Sequence, residues 1–377
     1  MKLQLNLRYV AMALGIAGAV LGAASAMAQT TFRIPVIATN LPGPAKPFGD
    51  DMLKGIQLAV DQANASRELP KVTLALDVIS TPATADPQAV QAMNTIAQSN
   101  AAVVLFGTSS ATSLAVAPIA QRAGLPFVAT QSGANGLLDL GDRIFRTTAP
   151  QFTYQGMLSQ YFKGKGVKRV AIMYNADNPT LMAVATQTLP AAAARDGYEI
   201  ARTISFSATE TNFQPIVRQA LSTNPDAIVF LSFGPQNASM VNEIRLADYK
   251  GLVAGQPAGG TDILIGLGAR ADGIVYVSDF SWAAVDSQKF VNAYQAKYGA
   301  NQVPNSFVST GYDGARMIIE ALKVAKSTDR AGMFDALNAV TATGFQGAGS
   351  PIKFEKRDAR VTPVVVEWRN GRENIAR

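Results

Sequence analysis

A chain of 377 residues without a cysteine or a histidine can form no disulfide, offers no thiol, and lacks the commonest general base and zinc ligand. Its 33 lysines and arginines against 27 acids give a formal net charge of +6. These charges are scattered and not interleaved with aromatics as a nucleic-acid groove requires, so nucleic acid is not an expected partner.

Residues 1–28 read as a secretory signal peptide. Lys2 and Arg8 lead an apolar run over 10–21, and Ala26 and Ala28 are small residues at the cleavage positions. The apolar run is short for a membrane span, and no later stretch reaches that length. With no cysteine to take a lipid, the exported chain is expected in the periplasm, not lipid-anchored, with release outside the cell the alternative. The remainder is long enough for two domains with sizeable cores.

Residues 32–38 read as a first strand, followed by a loop rich in proline and glycine over 41–49. Met52, Ile56, Ala59, Val60 and Ala63 then share one face of a helix. Residues 72–79 alternate as a second strand. Asp86-Pro87 is a helix start, with an acid at the N-cap and proline at the first position, and Val90, Met93 and Ile96 are its buried face. Residues 102–106 are continuously apolar, which suits a parallel strand covered on both sides. The next residues change character. Gly107, Thr108, Ser109, Ser110, Thr112 and Ser113 put five hydroxyls around a turn before an alanine-rich helix.

If that helix starts at 110–112, the turn lies at the carboxyl end of a strand and the positive end of a helix dipole. Amides and hydroxyls there hold a carboxylate without a cationic side chain. Helix capping alone would explain the same residues. Residues 126–129 form another strand and end in a second polar loop, 130–136. Two consecutive strand ends on one side of a parallel sheet favour a ligand cleft over two unrelated caps.

The alternation restarts after Pro150. A helix with Tyr154, Met157, Leu158, Tyr161 and Phe162 precedes strand 169–174. A helix over 181–195 leads to strand 198–204, and one with Phe213, Ile216, Val217 and Leu221 leads to strand 227–233. After a helix over 240–246 come short strands near Leu252 and at 274–277. Two more helices follow, one carrying Phe290, Val291, Tyr294 and Tyr298, the other Ile318, Ile319, Leu322 and Ala325. Residues 352–354 and 361–368 read as final strands. The repeated strand–helix order predicts an α/β fold of two doubly wound, Rossmann-like lobes.

No nucleophile elbow, phosphate loop or zincin motif occurs. The run 266–273 imitates a dinucleotide fingerprint, but its last glycine is two positions late. No catalytic residue, metal site or cofactor is therefore expected. A hydrolase built on Ser110 with a Lys or Asp partner is the enzymatic alternative, and nothing in the sequence pairs a base with that serine.

Several runs resemble periplasmic branched-chain amino-acid-binding proteins, the type I solute receptors of ABC importers. They are Leu41-Pro-Gly-Pro, residues 48–64, Asp86-Pro-Gln-Ala-Val, Gly107-Thr-Ser-Ser with Ala117-Pro-Ile-Ala, Ile144-Phe-Arg-Thr and Gly311-Tyr-Asp-Gly-Ala-Arg. The ordered series spans essentially the whole mature chain. The resemblance implies two lobes joined by three crossovers, near Thr147, Asp279 and Gln346, that close on one solute. Residues 29–147 and 279–345 would form the first lobe, and 148–278 and 346–377 the second. It also implies a monomer that passes its solute to an ABC permease in the inner membrane, or a sensor of the same fold.

By the same resemblance the solute carboxylate would meet Ser110, with Ser109 the alternative, and the loop Gln131, Ser132 and Gly133. Phe48 takes the place of an aromatic lid, and Phe233 that of a tyrosine flanking the ligand. Simple core packing is the other reading of both rings. The chain departs from the amino-acid binders at Gly133, where they carry threonine, and at Pro179 or Thr180, where they carry tyrosine. It departs again at 255–260, where a glutamate would pair with the ammonium and no acid precedes Asp262. An unpaired buried ammonium costs several kcal/mol. The expected solute is therefore a small carboxylate or amide with an apolar or aromatic body, and a branched-chain amino acid is the alternative.

Overall fold

The computed structural model describes residues 30–42, 46–82, 87–107, 109–256 and 261–376. The expected signal peptide, the Asp86 cap, Thr108 and residues 257–260 lie outside them. So does the side chain of Asp262.

The first half runs β1 (Thr30–Thr39), α1 (Lys46–Ala65), β2 (Val72–Thr81), α2 (Pro87–Gln98), β3 (Val104–Gly107), α3 (Ser110–Arg122), β4 (Phe127–Ala129) and β5 (Ile144–Arg146). The second repeats the scheme as α4 (Gln151–Gly164), β6 (Arg169–Asn175), α5 (Pro179–Ala183), α6 (Leu189–Asp196), β7 (Glu199–Phe206), α7 (Gln214–Leu221) and β8 (Ala227–Leu231). It continues with α8 (Pro235–Leu246), β9 (Leu252–Ala254), α9 (Thr261–Leu267) and β10 (Ile274–Ser278). The chain ends with α10 (Gln288–Tyr298), α11 (Ser306–Val324), α12 (Arg330–Thr343), β11 (Phe345–Gln346), β12 (Pro351–Glu355), β13 (Asp358–Arg360), β14 (Val364–Arg369) and β15 (Arg372–Ile375).

Among the described residues these strands make two sheets. One has the order β11-β12-β13-β5-β4-β3-β1-β2 and the other β15-β14-β10-β9-β8-β6-β7. The first five strands to form in each sheet are parallel and run to one edge of it, and they share one order, with the first-formed strand between the second and the third. Successive residues of a strand face opposite sides, and both sides are covered. Val36 and Leu105 meet Met52, Ile56 and Ile318 of α1 and α11, while Ile37 and Phe106 meet Met93 and Val116 of α2 and α3. In the second sheet Met173 and Phe230 pack on Val217 and Ile244, and Ile172 and Leu231 on Phe162 and Leu189. Burial of each such side chain contributes about 1.5–3 kcal/mol.

Several elements depart from the sequence expectation. The single helix over 181–195 is α5 and α6 joined by a π-turn at 184–188, because Pro190 has no N–H for a regular ladder. Helix α11 starts at Ser306, capped by Asn305, far ahead of Ile318. Its glycines allow close approach to α1: a Cβ at Gly311 would overlap the Met52 carbonyl, and one at Gly55 the Val308 carbonyl. Helix α12 was not anticipated. It is capped by Asp329, whose carboxylate accepts the Gly332 N–H at 2.7 Å. The fingerprint-like run 266–273 closes α9 and enters β10, so it follows a helix instead of opening one.

The chain leaves the first sheet after β5, returns after β10 and leaves again between β13 and β14. This last passage corrects the crossover expected near Gln346, because residues 351–360 form a hairpin on the open edge of β5. Arg146, only 4% exposed, holds it there. The guanidinium donates to Asp358 at 2.7 and 2.8 Å and to the carbonyls of Ser132 and Ala134 at 3.3 and 2.7 Å. Asp358→Ala leaves that buried cation without its acid and is expected to cost about 3–5 kcal/mol in urea unfolding.

Arg316 of α11 grips Glu68 through two bonds, at 2.9 and 3.0 Å. This hold lowers the Glu68 carboxyl from its ordinary 4.5 to about 2. A depressed acid stabilises the fold above its unfolded pKa, and the contribution is lost as pH falls through the folded value. Acid unfolding followed between pH 4.5 and 2 should therefore be less steep in Glu68→Gln than in the parent.

Candidate functional site

In a parallel sheet of this order the connections after the first and third strands leave in opposite directions and open a crevice at the carboxyl edge. Each sheet of this protein has such a point, between β1 and β3 and between β6 and β8. Both open onto one cavity of about 770 Å3. Thr39 ends β1, Ser109 follows β3, Asn175 ends β6 and Phe233 follows β8, and all four line it. This volume suits a small organic molecule.

The first sheet contributes the starts of three helices. Phe48 and Gly49 come from the first turn of α1, Ser110 from α3, and Ser306, Phe307 and Thr310 from α11. Unpaired amides and the dipole make each helix start favourable to an anion. No lysine or arginine is found among the described lining residues.

The two serines of the hydroxyl turn both line the cavity and differ in their hydrogen bonds. Ser109 is the N-cap of α3: its hydroxyl accepts the Thr112 N–H at 3.3 Å and lies 3.0 Å from the Thr112 hydroxyl. Ser110 forms no side-chain hydrogen bond to a described residue and lines the cavity. Thr112 and Ser113 turn inward and are buried, so they are not part of the lining. Ser109 thus caps the helix while also lining the cavity, and Ser110 lines it without a capping role.

In the second loop Gln131 and Gly133 line the cavity, whereas Ser132 does not. Ser132 is fully buried beneath the loop, where its carbonyl meets Arg146, which corrects the expectation of a contact there. The missing side chain at Gly133 is replaced in space. A Cβ at this position would stand 2.9 Å from Nε2 of Gln151, whose amide lies over the glycine and also lines the cavity. Sequence comparison at position 133 alone does not reveal this donor, because it comes from the start of α4.

Phe48 and Phe233 approach from the two sheets to 6.2 Å between ring centroids, and Phe48 stacks on Phe307 at 4.7 Å. Both rings line the cavity and pack on each other. Phe307 escaped the sequence reading because the start of α11 did; the Asn305 cap was its available signal. Thr180 lines the second sheet's side and Pro179 does not.

Acids enter from places the run 255–260 did not indicate: Asp177 after β6, Glu210 after β7, and Asp279 after β10. Asp177 accepts the Ala208 N–H at 2.7 Å, and Glu210 accepts those of Thr211 and Asn212 at 2.8 and 2.7 Å. Asp279 joins two of the passages between sheets. Its Oδ2 accepts from the Thr148 hydroxyl at 2.7 Å, the Tyr154 hydroxyl at 2.6 Å and the Ala149 N–H at 3.2 Å. Burial raises the Asp279 carboxyl above its ordinary value and, with this acid beside it, raises the Tyr154 phenol well above its own.

Comparison with known proteins places these features in context. Residues 31–368 match the family described as periplasmic binding protein. The chain is 24% identical over 355 residues to Leu/Ile/Val-binding protein homolog 7 of Brucella melitensis, covering 88% of this chain and 87% of that protein. Its fold is similar to that of the leucine-binding protein LivK of Thermotoga maritima, with TM-score 0.82, 22% identity and coverage of 92% and 97%. It is also similar to an R. palustris ABC-transporter solute-binding protein in complex with benzoate, with TM-score 0.81, 17% identity and coverage of 92% and 95%.

The division of labour between the serines is open to a direct measurement. Ser109→Ala should lower stability by about 1 kcal/mol in the ligand-free protein, as loss of a helix cap does. Ser110→Ala should leave the unfolding midpoint nearly unchanged.

Proposed function

The chain belongs to the periplasmic binding protein family, and we propose that it receives a small carboxylate with an apolar or aromatic body and delivers it to an ABC permease in the inner membrane. The reading rests above all on one observation: three helix starts converge on a cavity whose described lining contains no cationic side chain. Charge-assisted bonds from amides and from the Ser110 and Gln151 side chains would hold the carboxylate, each contributing about 1.5–3 kcal/mol. Phe48, Phe233 and Phe307 would cover the apolar body. Lobe closure about the three passages would bury the solute between them, with Asp279 bracing the first two.

The acids give the amino-acid reading a specific footing. Asp177, Glu210 and Asp279 stand in the lining, where a carboxylate would pair with an α-ammonium group. Related folds accommodate both chemistries, since one similar protein is a leucine-binding protein and another holds benzoate.

A thermal-shift screen separates the two solute classes. Benzoate and branched aliphatic carboxylates at about 100 times their dissociation constants should each add about 2.7 kcal/mol of stability, with leucine and valine inert. Ser110→Ala should weaken carboxylate binding several-fold. A midpoint raised by leucine alone would transfer the assignment to the amino-acid class.

A further inference from the structure

The second sheet's side of the cavity is finished by a loop that satisfies its own backbone. Residues 207–212 connect β7 to α7, and Ala208, Thr209, Glu210 and Thr211 of this loop line the cavity. Every backbone N–H from 208 to 212 already has an acceptor. Ala208 donates to Asp177 Oδ2 at 2.7 Å, Thr209 to the Ser207 hydroxyl at 3.2 Å and Glu210 to the Ser207 carbonyl at 3.1 Å, while Thr211 and Asn212 donate to Glu210 Oε1 at 2.8 and 2.7 Å. Gln236, in the first turn of α8, takes up the carbonyls. Its Nε2 stands 3.2, 3.1 and 3.2 Å from the carbonyl oxygens of Ser207, Ala208 and Glu210, and its Oε1 accepts from the Ser232 hydroxyl at 2.7 Å. One side chain thus ties the loop to the end of β8, next to Phe233.

We infer that Gln236 is a positioning residue: it fixes the loop in a conformation that uses up the loop's own amides, so the second sheet's wall turns away an anion and orients the solute carboxylate toward the first sheet. The inference rests on the carboxylate reading above and gives that solute a direction. Successive open N–H groups in a turn make a cradle for an anion. This loop offers none between 208 and 212, whereas the first-turn amides of α1, α3 and α11 lie outside their helical ladders. The residues that line the wall are instead hydroxylic or acidic, Thr209, Thr211, Asp177 and Glu210, with no lysine or arginine among the described lining residues to offset the acids. Like charges juxtaposed in a binding site exclude the wrong partner. Released from Gln236, the loop would free amides and shift Glu210, and the wall would lose its sign.

Titration calorimetry and amide hydrogen exchange on the wild-type protein and Gln236→Met test this. The probes are benzoate, 4-nitrobenzoate and terephthalate, of which the last two match in shape and differ in charge. Terephthalate should bind at least tenfold more weakly than 4-nitrobenzoate, which should stay within threefold of benzoate. In Gln236→Met, which keeps the length of the side chain and loses its amide, exchange at 208–212 should rise at least tenfold and the terephthalate deficit should fall to threefold or less. Exchange that rises with the deficit intact would reduce Gln236 to a structural brace, and exchange that does not rise would remove the brace itself; either overturns the inference. If terephthalate binds as tightly as 4-nitrobenzoate, or 4-nitrobenzoate is as weak as terephthalate, the wall does not discriminate by charge, and the inference fails while the carboxylate reading stands. If none of the three binds, the carboxylate reading is refuted for this body and the inference falls with it. Should Gln236→Met fail to fold, Gln236→Asn, whose amide sits one bond short of the loop, takes its place.

Discussion

The handedness of strand–helix–strand connections governs everything else in this protein. A right-handed crossover obliges the helices on either side of a switch in strand order to leave in opposite directions, and the gap between their starts cannot be filled by the sheet itself. The chain builds this gap twice, in sheets whose first five strands share one order, and sets the two gaps against one cavity. Phe48, Ser110, Asn175 and Phe233 are distant in sequence and share no local motif. They line one cavity because each belongs to a strand end or to the connection that follows it at one of these two places.

The anion proposed for this cavity would need no cationic side chain to hold it. A buried arginine or lysine would need its own counter-charge whenever the cavity was empty, and separation of such a pair is costly. Helix amides carry such polarity as part of the backbone, with no counter-charge to separate. The capping hydroxyl of Ser109 fixes where α3 begins and so which amides remain free. Gln151 shows a second economy, placing an amide over Gly133 from another element. The donor set of the cavity is thereby partly assembled across the passage between the sheets.

That passage is itself braced by enclosed acids. Asp279 gathers two hydroxyls and an amide from residues 148–154, and Glu373 of β15 accepts from the Tyr276 and Ser281 hydroxyls and the Trp282 N–H at 2.6, 2.6 and 3.1 Å. Carboxylates with several donors are the strongest neutral-neighbour anchors available in a site without cations. They tie the passages to α4, β10 and β15 of the second sheet's side. Arg146 does the corresponding work on the first sheet, where it binds the β12–β13 hairpin and the loop beyond β4 together.

The alternation of apolar strands and one-faced helices determined the α/β class and the two-lobed plan by itself, because burial on both sides of a parallel strand leaves a continuous apolar run such as 102–106. The hydroxyl turn at 107–113 and the loop at 130–136 were likewise visible as strand ends carrying polar groups. Sequence alone did not determine which of two adjacent serines caps the helix, since that depends on where the first turn closes. Nor did it reveal Phe307, Gln151, Gln155 and the acids Asp177, Glu210 and Asp279 as neighbours of one cavity. These residues are separated by up to 156 positions from one another and are joined only by the packing of two sheets. The edge hairpin at 351–360 followed the same logic: its place beside β5 was decided by Arg146 and Asp358, residues whose pairing no local pattern announces.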